Sequence, residues 1–264
     1  MLVDAGGGAF VRFGEAGADF NELDNIAISH FHTDHSADLV TLLKSGYFSG
    51  RARPLGISGP GAGGPFPALD SYLASTIGSG GAYAYLSGYL DGSGGLARLV
   101  PVTLDATSRE TLPVSGNARD EIQITAHGVP HGVVPSIAYR VRIGTKEIVF
   151  ASDQNGDDPE FARFARNADI LVMHMAVPEN ADAASRLLHA PPSRIGQIAA
   201  AARADRLVLS HFMARSLRDL DTNIGLVRSF FVGEIVIAED LICIRVAEKL
   251  NPGPGGRATR GGSN

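Results

Sequence analysis

Apolar and polar residues alternate along this chain in two rhythms. Short apolar runs that stop at Gly, Ser, Asp or His predict strands at "MLVDAG", "NIAIS", "PLGIS", "LVPVTL", "EIQITA", "SIAYRVRI", "KEIVFAS", "DILVMH", "RLVLSH", "EIVIAE" and "LICIRV". Several are apolar at almost every position, the pattern of strands covered on both faces. Between them, apolar residues recurring at three- and four-residue steps, with Asp or Pro near the starts, predict helices at "HSADLVTLLKSGYF", "DPEFARFARNA", "PPSRIGQIAAAARA" and "SLRDLDTNIGLVRSFF". Strands alternating with helices in this way predict a layered α/β architecture.

Three stretches break the rhythm. Residues 58–95, rich in Gly, Ala and Tyr, read as an insertion of short helices and flexible loops. The run Gly6-Gly7-Gly8 lacks the spaced glycines of a phosphate-binding loop and a helix to receive an anion, so it reads as a turn. The end, "NPGPGGRATRGGSN", has too little apolar surface to offset the entropy of ordering. The expectation is one domain over 1–250 and a disordered tail over 251–264.

Composition narrows the function classes. With 264 residues, 44% of them hydrophobic and 19% charged, the chain can bury a sizeable core. A net charge of −5 argues against a surface built mainly to hold nucleic acid or an anionic membrane. The single cysteine, Cys243, forms no intrachain disulfide and offers no thiolate cluster. No 18-residue apolar run appears, and the first residues lack the basic and apolar regions of a signal peptide.

The chemistry concentrates in "AISHFHTDHSADL", where three histidines and an aspartate fall within the six residues from His30 to His35. In an extended segment His30 and His32 point to the same side and can share one metal ion. Asp34 and His35, at the turn into the next helix, can reach a second ion beside the first. Nitrogen and carboxylate donors without thiolate suit zinc best, with manganese or iron as alternatives.

The spacing His30-x-His32-x-Asp34-His35 resembles the H-x-H-x-D-H signature of the metallo-β-lactamase superfamily, and the resemblance extends over nearly the whole chain. It implies a four-layer αβ/βα sandwich, with "LVDAG" as the motif whose aspartate, Asp4, braces the metal loop. It also implies two divalent ions, one on His30, His32 and His131, the other on Asp34, His35 and His211, with Asp153 joining them. His127, four residues before His131, competes for the third-motif place, and the distance to "AYRV" favours His131. The family fold carries a β-hairpin before the "LVDAG" strand, which this chain does not show. The expected compartment is cytoplasmic if Met1 is the true start and outside the cell if a leader lies upstream.

Two ions sharing a solvent molecule lower its pKa toward ~7 and imply hydrolysis. "ADILVMHMAV" and "LHAPPSRIGQIAAAARADRLVLSHF" resemble the distal part of ribonuclease Z and its phosphodiesterase relatives, which makes His174, His189 and Asp34 the catalytic candidates. Two departures weaken a tRNA-processing role. Met175 stands where that family has a glutamate, and the 22 residues from His131 to Asp153 leave no room for the arm that grips tRNA. The expectation is therefore a dinuclear hydrolase of a phosphodiester or other small-molecule ester, with nucleic acid disfavoured, no membrane partner and a homodimer allowed. A β-lactam or lactone hydrolase and a non-catalytic, metal-stabilised binding module are the alternatives.

Overall fold

The structure, a computed structural model, describes residues 1–114 and 122–246; the tail expected over 251–264 lies outside the described residues. Two sheets carry the fold. The first runs in the order β1 (Leu2–Val3), β2 (Asn25–Ala27), β3 (Leu55–Pro60), β4 (Leu99–Leu104), all parallel. Its crossovers hold α1 (Ala9–Glu15), α2 (Thr33–Ser36), α3 (Leu39–Gly46), α4 (Leu69–Ile77) and α5 (Gly88–Asp91).

The second sheet has seven strands. An antiparallel half comprises β5 (Leu112–Pro113), β6 (Ile122–Val129), β7 (Ser136–Ile143) and β8 (Lys146–Phe150). A parallel half continues through β9 (Ile170–His174), β10 (Arg206–Ser210) and β11 (Glu234–Ile237). Its connections carry α6 (Phe161–Phe164), α7 (Ala183–Leu188), α8 (Pro192–Ala202), α9 (Ala214–Leu217) and α10 (Leu220–Arg228). Only Gly144 and Thr145 separate β7 from β8, so no arm rises there.

Three apolar layers show why the sheets stack. Leu39, Leu42, Leu69 and Tyr89 cover one face of the first sheet. Ile195, Ile198, Phe161 and Val227 cover the outer face of the second. Between the sheets lie Ala27, Leu104, Ile124, Ile137 and Tyr139. Three cores between four layers make the expected αβ/βα sandwich, each fully buried Leu or Ile contributing about 2 kcal/mol.

Several elements differ from the expectation. Residues 58–95 do form short helices, but Leu69, Ile77 and Leu86 are fully buried and the Tyr89 hydroxyl donates to the Leu43 carbonyl at 2.8 Å. The segment is the crossover from β3 to β4 and part of the core. "LICIRV" forms no strand, because the chain turns at Glu239–Ile242 with Leu241 at φ 65°, leaving Leu241 and Ile242 half exposed. The Gly7–Gly8 turn leads directly into α1, whose N–H groups at Gly8 and Phe10 donate to Asp38 Oδ2 at 2.8 and 3.0 Å. That carboxylate already occupies the place an anion would take.

Candidate metal centre

Strand ends deliver the polar side chains. Asp4 follows β1, the His30–His35 turn follows β2, Ser152 and Asp153 follow β8, and His211 follows β10. Asp4, Ser152 and His211 hold left-handed backbone at φ 59°, 56° and 54°, a conformation that non-glycine residues keep only where surrounding structure enforces it. Bonds at or beside these residues do so here: Asp4 N donates to Ala27 O, His174 Nδ1 to the Ser152 carbonyl, and Met175 N to the carbonyl of Ser210, next to His211, each at 2.8 Å.

Two groups of donors converge. His30 Nε2 lies 3.1 Å from His32 Nδ1, which lies 3.4 Å from His131 Nε2. Across the cluster His35 Nε2 lies 3.0 Å from His211 Nε2, and Asp34 Oδ2 lies 3.5 Å from the same His211 nitrogen. Tetrahedral ligands about zinc at ~2.0–2.1 Å stand about 3.3–3.4 Å apart, close to these spacings. Asp153, 2% exposed, sits between the groups, its Oδ2 at 3.6 Å from His35 Nε2, 3.5 Å from His211 Nε2 and 3.9 Å from His131 Nε2.

The tautomers follow from hydrogen bonds around the cluster. His131 Nδ1 donates to the Leu188 carbonyl at 2.7 Å, so its Nε2 presents a lone pair. Ser29 Oγ donates its one proton to Asp4 Oδ2 at 2.8 Å and therefore accepts from His30 Nδ1 at 3.0 Å, leaving His30 Nε2 as a lone pair too. Burial pushes the His131 pKa down to about 4 and that of His30 further down, so both rings are neutral near pH 7. His35 goes the other way. Burial opposes its charge, but the carboxylates of Asp153 and Asp4, the latter at 2.7 Å from Nδ1, raise its pKa to about 10. Burial likewise works against the charge of Asp153, whose carboxyl is nevertheless held well below its usual range by His35, His174 and His211. Nitrogen lone pairs facing one another fit a cluster organised around cations, and His35, whose Nδ1 proton goes to Asp4, would give up its Nε2 proton to hold one.

The other candidates are placed as follows. His127 points away, its Nε2 2.7 Å from Asp158 Oδ2 and its ring stacked on Phe164 at 5.1 Å. His174 is buried and donates from Nδ1 to the Ser152 carbonyl at 2.8 Å, while its Nε2 meets no partner among the described residues. His189 does end α7, yet it turns inward, 7% exposed, its Nδ1 without a hydrogen-bond partner among the described residues and 3.6 Å from Asp153 Oδ2. Met175 is fully buried in the apolar layer beneath.

Ser29 is the residue that sequence reasoning missed, and a serine at the end of one apolar run carries no signal. Ser29→Ala should free the His30 ring to adopt either tautomer and weaken metal binding about 10–100-fold with little change in fold, read by chelator competition. Unchanged affinity would remove Ser29 from the site.

The chain is similar to several known proteins. A family model described as "Beta-lactamase superfamily domain" matches residues 82–212. Ribonuclease Z of Thermobifida fusca is 24% identical, the alignment covering 97% of this chain and 88% of that protein. Human tRNase Z, short form, superposes with a TM-score of 0.67 at 20% identity, covering 93% of this chain and 87% of that one. A metallo-β-lactamase fold protein from Bacillus subtilis, YhfI, gives a TM-score of 0.65 at 22% identity, covering 90% and 83%. Residues 82–212 thus match a beta-lactamase superfamily domain, and over most of its length the chain is similar to ribonuclease Z, a hydrolase, and shares the metallo-β-lactamase fold.

Proposed function

We propose that the chain hydrolyses a phosphodiester bond with two divalent metal ions, zinc first among them. The convergence of seven nitrogen and carboxylate donors into two groups that share Asp153 carries this reading. His30, His32 and His131 would hold one ion, Asp34, His35 and His211 the other, and Asp153 both. When bound, such ions supply Lewis acidity at the scissile group and a nucleophilic water at neutral pH.

The chain's own residues supply the rest. Asp34, whose side chain is 60% exposed at the mouth of the cluster, is placed to take the proton of the attacking water. His189 is neutral near pH 7, since burial pushes its pKa down to about 3, and it offers a ring N–H to the leaving oxygen. His174, bonded to the Ser152 carbonyl, packs 5.4 Å from the His189 ring and holds its position.

The small-ester expectation gains no support from the comparisons, whose curated relatives are named ribonuclease Z. RNA is accordingly the polymer to test first. The two-residue β7–β8 hairpin and the net charge of −5 favour a short or flexible RNA over a large folded one. Metal analysis should return two ions per chain, and a panel of bis(p-nitrophenyl) phosphate, an oligoribonucleotide, nitrocefin, a lactone and an aryl sulfate should show turnover of the first two, abolished by chelation. Faster turnover of nitrocefin or the lactone than of either phosphodiester would overturn the assignment.

A further inference from the structure

Three chain segments run on from the donor cluster into a second pocket, of about 450 Å³, between α7, the start of α8 and the loop after β8. Asn155 on its wall follows Asp153 by two residues, and Pro191 follows His189 by two. Leu187, also on the wall, adjoins Leu188, whose carbonyl accepts the His131 proton. Two residues of extended chain reach at most about 7 Å, so the pocket opens beside the cluster.

Its charge is opposite to that of the whole chain. Arg186 and Arg194 line it with one acid, Asp157, in a protein of net charge −5. Neutral acceptors hold Arg194 in place: its Nε donates to the Gly156 carbonyl at 2.9 Å and its Nη1 to Gln197 Oε1 at 3.2 Å. Among the described residues it forms no ion pair with a carboxylate, and Gln197 keeps its amide N–H groups as donors. Arg186 donates to the Glu179 carbonyl at 2.9 Å. The Glu179 carboxylate, 3.9 Å from that guanidinium, already accepts from Ser193 N and Oγ at 2.9 and 2.6 Å. A guanidinium positioned in this way, with its fork not taken up by a carboxylate, matches the geometry of a phosphate.

We infer that this pocket binds a second phosphate group of the substrate, the one next along the strand from the bond that is cut. The inference rests on the phosphodiester reading and adds a subsite to it. At about 30 Å³ per water the pocket is larger than a lone anion needs and has room for a phosphate with its sugar. A strand held at two phosphates crosses the cluster in one direction, which fixes the scissile bond against the attacking and leaving groups. Asp157, exposed on the same wall, opposes an anion and gives the test a sign.

Steady-state rates of the metal-loaded full chain on a dinucleoside monophosphate, and on the same compound with an added 5′ or 3′ phosphate, test the subsite. One of the two phosphorylated forms should show kcat/KM about tenfold higher or more, the contribution of hydrogen bonds to a charged group. Arg194→Gln should bring the ratio of the two kcat/KM values near one, and the ratio cancels any loss common to both substrates. Arg194→Lys, a point charge without the fork, should recover only part of the gain. At the exposed positions, Arg186→Gln should lower the ratio and Asp157→Asn should raise it, each about threefold. Circular dichroism reports folding for each variant. Equal kcat/KM with and without the added phosphate, or a gain that Arg194→Gln leaves intact, would overturn the inference, while turnover of bis(p-nitrophenyl) phosphate would still carry the hydrolytic reading. Without turnover of any phosphodiester both fall. Inorganic phosphate that binds by calorimetry only when Arg194 is present, with the two substrates reacting alike, would give the pocket to a free anion and overturn the inference as well.

Discussion

Asp153→Ala is expected to release at least one of the two metal ions proposed above and to lower kcat by about a thousandfold or more. The carboxylate faces both donor sets, within 3.5–3.9 Å of nitrogens from His35, His211 and His131. Its loss would leave the residues that hold two such ions with less negative charge between them. A bound ion stabilises transition-state charge by several kcal/mol, and about 4 kcal/mol corresponds to roughly a thousandfold in rate. His32→Ala makes the contrast, because His32 belongs to one donor set only and its loss should weaken one ion while sparing the other. Elemental analysis of the purified variants with steady-state rates on the phosphodiester panel reads both effects, and circular dichroism confirms that each variant folds. Two ions retained by Asp153→Ala, or a rate within tenfold of wild type, would show that the carboxylate does not join the sites.

The metal loop was legible because its information is local. His30 to His35 carry their spacing in six consecutive residues, and a strand followed by a helix start is enough to aim them. The sheet strands were legible for a related reason: continuous apolar runs such as "DILVMH" and "RLVLSH" have no stable place except between covered faces. His131, Asp153 and His211 were reached through a resemblance in pattern, since separations of 22 and 58 positions carry no geometric rule for bringing them together.

What stayed hidden is tertiary. Glycines flank α1, and its N–H groups are satisfied by Asp38 from a distant turn, so no local cap marked it. Residues 58–95 looked loose because Gly and Ala dominate them, while their few large apolar residues, Leu69, Leu73, Ile77, Leu86 and Tyr89, are the ones that reach the core. "LICIRV" has strand rhythm, but rhythm states a preference for a half-buried surface and cannot supply a neighbouring strand to pair with. Nothing local aims His189: it ends α7, and only its inward rotation toward Asp153 brings it to the site.

Three consecutive glycines then offer a graded test of how tightly the metal loop is held. Gly6→Ala is expected to be the most damaging small substitution in the chain, costing about 3 kcal/mol or more and displacing Asp34 and His35. A methyl group at Gly6 would stand 1.8 Å from the Asp34 carbonyl oxygen and 2.5 Å from its carbon, and backbone atoms cannot swing aside as a side-chain tip can. Two backbone bonds stitch the same segments together: Ala5 N to His35 O at 2.8 Å and Asp38 N to Ala5 O at 2.7 Å. Overpacking alone costs about 1–3 kcal/mol, and each stitched bond lost adds about 1 kcal/mol. Gly8, at φ 95°, should cost about 1–2 kcal/mol on replacement by Ala through backbone strain alone. Gly7, with nothing within 4 Å of its would-be methyl, should change stability by less than about 1 kcal/mol. At about 2–4 °C per kcal/mol for a chain of this size, Gly6→Ala should lower Tm by at least about 6 °C while Gly7→Ala leaves it near wild type. Only the first should also lose metal from the Asp34, His35 and His211 set. Equal melting temperatures for Gly6→Ala and Gly7→Ala would mean that the strand exit does not press on the loop, and that the positions of Asp34 and His35 are held by something other than this contact.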